Sequence, residues 1–237
     1  MFPISGSGIS LDDMRLLLIR HGQTPANVLG QLDTAAPGPG FTALGQKQAA
    51  MVPGALRGTP VDSISASILI RAQLTAKPLA LDRHIAVDIL PGLHEIAAGD
   101  LEGNTDRASV RVYLETAFAW ADGDLDLRMP GGHDGHEFYH RFDADIATIA
   151  SGGGDSAVIF SHGAAIRVWV AGRAINVPPR FAAENELGNT GVVEMTGSTE
   201  EGWRLDSWAG TALGGSDLDD VSAPDPTGET LSDAREG

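Results

Sequence analysis

The stretch Leu16–Asn27, LLLIRHGQTPAN, decides how the chain is read. Four apolar residues, Leu16 to Ile19, run directly into Arg20, His21 and Gly22. A short, uninterrupted apolar run suits a strand buried on both faces of a sheet. The change to Arg-His-Gly sets a cation, an imidazole and a permissive backbone position at the strand's carboxyl end. In open α/β sheets that edge is where ligands sit. A histidine placed there can be a base, a metal ligand or a nucleophile, and these three residues do not choose among the roles.

Working outward, apolar periodicity alternates between strand and helix. Thr42 can cap a helix with Leu44, Met51, Val52 and Ala55 on its apolar face, although Pro53-Gly54 could kink or stop it. Val61–Ser65 reads as a second strand, followed by a helix from near Arg71 in which Pro78 interrupts the pattern. Ile85–Asp88 reads as a short third strand, and Val110, Leu114, Ala117, Phe118 and Ala121 mark a helix within Asn104–Ala121. Phe138, Phe142, Ile146 and Ile149 mark another, and Ala157–Phe160 is a strand running into Ser161-His162-Gly163. A helix over Ala164–Ala171 and strands at Gly191–Met195 and Trp203–Ser207 complete the pattern. This order predicts an α/β fold with a largely parallel sheet. Residues 1–13 read as a flexible N-terminal extension and 14–213 as one domain. Residues 214–237, rich in Asp and Glu and without apolar periodicity, read as a disordered acidic tail.

A chain of 237 residues can bury a substantial core. Its formal net charge of -16 argues against non-specific nucleic-acid binding, which needs basic surface. A small anionic substrate remains compatible, because a few clustered arginines can dominate the local field. There is no cysteine, which removes disulfides and thiol chemistry. The start lacks a basic and apolar leader, and no apolar run reaches bilayer length. A cytoplasmic protein with no membrane association is the expectation, and a homodimer is left open.

The strand-then-His-Gly pattern occurs twice, as LLLIRHG and as AVIFSHG. Two strands of one sheet would therefore deliver histidines to the same edge. Arg71 in ASILIRAQLTA and Glu95 in LHEIAAGDLEG follow two further strands. Together these segments resemble the histidine phosphatase superfamily, often called phosphoglycerate-mutase-like. Arg20-His21-Gly22-x-Thr24-x-x-Asn27 is similar to its nucleophile motif, and Ala66–Ala76 to its second arginine motif. Leu93-x-Glu95-x-x-x-Gly99-x-Leu101-Glu102-Gly103 is similar to the acid/base segment of its phosphatase branch, and Ser161-His162-Gly163 to its second histidine motif. The resemblance implies a three-layer α/β/α sandwich with a small helical cap at about 104–150. It implies His21 as a nucleophile forming a phosphohistidine, and Glu95 as acid and base. Arg20, Arg71, His162, Asn27 and Gly163 would bind the phosphoryl group of a small phosphorylated substrate, with no cofactor and no metal. A phosphoglycerate mutase and a non-catalytic phospho-ligand binding protein are the alternatives. The stretch GDLEGNTDR after the acid departs from the mutase pattern and favours the phosphatase.

Two departures stand out. Gly132-His133-Asp134 occupies the place of the family's Gly-Glu-Ser, and Gln23 stands where many members carry glutamate. The same region contains His136-Glu137-Phe138-Tyr139-His140, a formal match to the H-E-x-x-H zinc motif. No third ligand segment follows it, and Phe138 and Phe142 must be buried by the same helix. Adventitious metal binding by His133, His136 and His140 is a better expectation than a catalytic zinc.

Overall fold

The computed structural model describes residues 13–236. The expected extension therefore lies almost entirely outside the described residues. Six strands form one sheet: β1 (Met14–Arg20), β2 (Ser63–Ser67), β3 (Val87–Leu90), β4 (Ser156–Ser161), β5 (Val192–Ser198) and β6 (Gly202–Ala209). Their spatial order is β3-β2-β4-β1-β5-β6. The first four are parallel, and β5 and β6 add an antiparallel edge. The helices are α1 (Pro25–Leu29), α2 (Ala43–Ala55), α3 (Ile70–Arg83), α4 (Arg107–Ala121), α5 (Gly135–Ser151), α6 (Gly163–Arg173), α7 (Phe181–Glu184) and α8 (Leu231–Glu236). None is long and apolar enough to cross a membrane, among the described residues.

Strand alternation explains the three layers. Leu17 and Ile19 of β1, with Ile64, Ala66, Val158 and Phe160, pack on Val52 of α2, on Leu56 just past its end, and on Ala72, Ala76 and Leu79 of α3. Leu16, Leu18, Ala157 and Ile159 face the other way, into a larger core shared with α4, α5, α6 and α8. The 104–150 segment expected as a cap thus supplies α4 and α5, whose apolar faces join that larger core. Capping is local: Thr42 accepts from Gly45 N, Asp106 from Ser109 N and Asp134 from Glu137 N. Asp134, one of the departures, is therefore the N-cap of α5 and forms a capping box with Glu137.

Several expected boundaries shift. β2 begins at Ser63 because pairing with β4 and β3 extends it through Ser67. β3 likewise runs later, Val87–Leu90, in register with β2. Pro53 and Pro78 do not end their helices, which run on to Ala55 and Arg83. Buried Thr75, Ala76 and Leu79 hold α3 against the sheet across Pro78, so packing overrides the lost backbone bond.

The tail corrects the sequence reading most. Instead of a disordered segment, residues 216–235 form a strap across the carboxyl edge of the sheet, and Leu231 and Ala234 are buried in the larger core. Composition missed it because its partners are buried arginines far away in sequence. Arg167 of α6 donates to the carbonyls of Thr227 (3.1 Å), Glu229 (2.7 Å) and Ala182 (2.7 Å). Arg107 adds a double ion pair to Glu229.

Candidate active site

β1 and β4 are adjacent and parallel, with Arg20 opposite Ser161. The residues that follow, His21 and His162, therefore emerge side by side, their ring centroids 5.2 Å apart. β2 ends beside β4 at Ser67, and α3 begins three residues later, carrying Arg71 to the same edge. Glu95 follows the single 3-10 turn after β3 and accepts from Ala164 N (3.2 Å) and Ala165 N (2.8 Å) at the start of α6. The structure thus gathers Arg20, His21, Arg71, Glu95 and His162 at one edge, all buried.

His21 is held in one orientation. Its Nδ1 lies 2.9 Å from the carbonyl of Gly22, so Nδ1 carries the proton and Nε2 presents a lone pair. Burial, then the charges of Arg71 and Arg20, push the ring's pKa well below 6.5 and keep it neutral. The loop beyond it is fixed on both sides: Gly22 N donates to Thr75 Oγ1 (3.0 Å) and Gln23 N to Gln48 Oε1 (2.7 Å). Gly45 is required there, because a Cβ would stand 2.1 Å from the Gln23 carbonyl oxygen.

His162 is also neutral, its pKa lowered well below 6.5 by burial and then by Arg71 and His21. Ser67 Oγ accepts from Leu69 N (3.2 Å) and lies 2.8 Å from His162 Nε2. His162 Nδ1 is buried, with no hydrogen-bond partner among the described residues. A second orphan is Arg20 Nε. It lies beside Gly163, where an added Cβ would approach it to 2.9 Å. These two nitrogens flank the first residue of α6, an arrangement suited to an anion.

Arg71 donates to the carbonyl of Asp33 (2.9 Å), with the Asp33 carboxylate 3.5 Å away. Backbone of the same loop lies against the guanidinium at Gly38. Burial pushes the carboxyl pKa of Glu95 up, against the Ile96 and Ala165 N–H groups and the two arginines, which favour the charged form. Arg141 of α5 steadies this segment by donating to the carbonyls of Gly92, His94 (2.7 Å) and Glu95 (3.1 Å). Glu102 of the same motif is elsewhere, binding the backbone N–H groups of Thr34 (2.9 Å) and Ala35 (3.1 Å).

Asn27 sits differently from the expectation of a free phosphate ligand. Its Oδ1 closes the α1 capping box with Thr24, and its Nδ2 donates to Asp225 Oδ1 of the strap at 2.9 Å. Sequence reading missed Asp225, Ser67, Thr75 and Arg141; only Arg167, a cation inside the apolar run AAIRVWV, carried a visible signal of a buried polar contact. A cavity of about 600 Å³ runs along the strap past Asn189, Arg107 and Asp220. Neither His21 nor His162 lines it. The H-E-x-x-H stretch builds no metal centre: His136 faces Asp126 at 3.2 Å, and Glu137 is held by the α5 cap and His133. Among the described residues no group of three or more His, Cys, Asp or Glu is arranged to hold a metal ion.

Comparison with known proteins agrees with this geometry. The family model described as "Histidine phosphatase superfamily (branch 1)" matches residues 16–211. A PE-PGRS family protein of Mycobacterium tuberculosis is 36% identical over 230 residues, covering 90% of this chain but only 38% of that protein's length. The adenosylcobalamin/alpha-ribazole phosphatase of Escherichia coli is 34% identical over 167 residues, 70% of this chain and 81% of that protein. The solved structure of a mycobacterial glucosyl-3-phosphoglycerate phosphatase complexed with VO3 superimposes with a TM-score of 0.70 at 25% identity, covering 84% of this chain and all of the other.

Proposed function

The chain belongs to the histidine phosphatase superfamily, and from that premise we propose that it hydrolyses a small phosphate ester through a phosphohistidine on His21. One observation carries the reading: a buried, neutral His21 fixed through Nδ1 to the Gly22 carbonyl, beside a second neutral histidine and two buried arginines. The Nε2 lone pair attacks phosphorus, and the bond from phosphorus to the ester oxygen breaks. Glu95 gives its proton to the departing oxygen, a task suited to a carboxyl whose pKa is raised by burial. Water then attacks the phosphohistidine, Glu95 takes the water's proton, and the P–N bond breaks to return neutral His21. Arg20 Nε, Arg71, His162 Nδ1–H and the Gly163 N–H supply donors to the phosphoryl oxygens. Catalysis of this kind is mostly positioning and charge stabilisation.

His21, Arg71, Glu95 and His162 expose 2% or less of their surface, and Asp33 and Gly38 lie against the Arg71 guanidinium. A phosphoryl group then replaces the Asp33 contacts on Arg71. The same proposal sets the protein in the cytoplasm, acting without metal, nucleic acid or membrane, as a monomer or homodimer. Release of phosphate from an aryl phosphate, measured with EDTA present throughout, tests it. The parent is expected to turn over and His21→Ala to lose at least about a thousandfold, as expected when the nucleophile is removed. Activity abolished by EDTA, or retained by His21→Ala, contradicts it.

A further inference from the structure

We propose that Asp225 of the C-terminal strap is a positioning residue for the phosphate-binding Arg20, so that the strap is a working part of the active site. This rests on the phosphatase reading above. Arg20 is fully buried, and its donors divide into two sets. Nη1 donates to Asp225 Oδ2 (2.5 Å) and the Leu187 carbonyl (2.7 Å). Nη2 donates to Asp225 Oδ1 (2.5 Å) and Thr227 Oγ1 (3.0 Å). Nε has no partner among the described residues, and it lies at Gly163, the residue after His162. The strap thus grips the outer edge of the guanidinium in the planar, two-point geometry that carboxylates offer arginine. The Nε–H alone points elsewhere, toward Gly163.

Three further contacts tie the strap to the nucleophile loop and to the residue after His162. Asp225 Oδ1 also accepts from Asn27 Nδ2 at 2.9 Å. Gly163 is closed over by the Thr227 carbonyl oxygen, 2.5 Å from where a Cβ would stand. Gln23, two residues after His21, donates from Nε2 to Asp220 Oδ2 at 2.9 Å. A glutamate at position 23 would set two carboxylates face to face there; glutamine makes the contact attractive.

The alternative role for a carboxylate on a phosphate-binding arginine is a plug that substrate must displace. Anchoring argues against it. The strap is held by buried Arg167 through two carbonyls, and it continues into Leu231 and Ala234 within the core. A plug should leave readily; this segment is part of the fold. A loose guanidinium would have to be reordered by each substrate, which weakens binding, whereas a fixed one meets the phosphoryl group with its geometry set.

The test is steady-state hydrolysis of an aryl phosphate, with inorganic phosphate as inhibitor, by the parent, Asp225→Asn, Asp225→Ala, Thr227→Val and Glu229→Gln. Asp225→Asn keeps the shape and removes the charge. KM and the phosphate inhibition constant are expected to rise about tenfold in Asp225→Asn and more in Asp225→Ala, the worth of a hydrogen bond to a charged group. kcat should change less than about twofold, because Arg20 holds the phosphoryl group alike in the phosphohistidine and in the transition state of its hydrolysis, so weakening that grip raises KM and leaves kcat. Thr227→Val, lacking one bond to Nη2, should show a smaller rise of about threefold, and it keeps the measurement available if Asp225→Ala does not fold. Glu229→Gln loosens the strap at Arg107 without touching Arg20, so its KM should stay at the parent value. Parent-like KM and inhibition in folded Asp225 and Thr227 variants overturn the proposal. A fall in both constants overturns it in favour of the plug, and equal rises in Glu229→Gln reduce the strap to a structural role. A parent that releases no phosphate refutes the phosphatase reading instead.

Discussion

Lowering the pH from about 7.5 to about 5.5 should weaken the fold through its buried histidines, and His162 gives the cleanest reading. Its imidazole is fully buried, and burial, then Arg71 and His21, hold its pKa well below 6.5. In the unfolded chain it titrates near 6.5, so across this window the unfolded state binds a proton that the native state refuses. The contribution to stability is therefore complete above 6.5 and falls as the pH drops through that value toward the native pKa. Over two pH units centred on the unfolded pKa, one such histidine contributes a loss of up to about 1.4 kcal/mol. His21, shifted in the same direction, adds a loss of the same sign. Glu95 opposes them, because its raised pKa lets the native state bind a proton before the unfolded one does. The parent alone thus mixes signs, and the difference from His162→Asn isolates one ring. Urea unfolding at both pH values, with free m-values, should show a pH-dependent loss smaller by about 1 kcal/mol in His162→Asn. Equal losses in parent and variant would refute the reasoning, since native His162 would then take up a proton as readily as the unfolded chain.

The acid limb of kcat/KM should lie below pH 6.5, because His21 stays neutral and nucleophilic there; a limb at or above 6.5 in a full pH–rate profile contradicts a depressed pKa. Glu95→Gln should slow hydrolysis of an alkyl phosphate by about a hundredfold or more while still giving a fast burst of product from an aryl phosphate, followed by slow turnover. Parent rates on both substrates in stopped-flow measurements would remove Glu95 from its role. Gly45→Ala places a Cβ 2.1 Å from the Gln23 carbonyl oxygen, and should cost about 1–3 kcal/mol in urea unfolding while raising KM through the displaced nucleophile loop. An unchanged midpoint would show that the α2–loop contact yields freely.

Much of the site was legible because each part sits at a strand end. The apolar runs LLLI and AVIF could only be buried strands, and a strand that ends in His-Gly twice sends both histidines to one edge. The pairing of Arg20 with Ser161 carries that inference into three dimensions. The strap was not. Its acidic, aperiodic sequence matches that of disordered segments, and what orders it is Arg20, 205 positions away from Asp225, together with buried Arg167. Burial of an arginine is a property of the tertiary fold, and neither residue's neighbours announce a carboxylate or carbonyl partner. The Asn27 contact was hidden for the same reason: its motif position was clear, but its amide meets Asp225 of the strap.

The most direct measurement of the central claim is the location of the phosphoryl group in the trapped intermediate. The parent and Glu95→Gln would be mixed with an aryl phosphate, quenched without acid to preserve the P–N bond, digested and mapped by mass spectrometry. Phosphate is expected on His21, accumulating to a higher level in Glu95→Gln and absent from His21→Ala. Phosphate on His162, or rapid turnover by a Glu95→Gln enzyme that never carries phosphate on His21, would contradict the account.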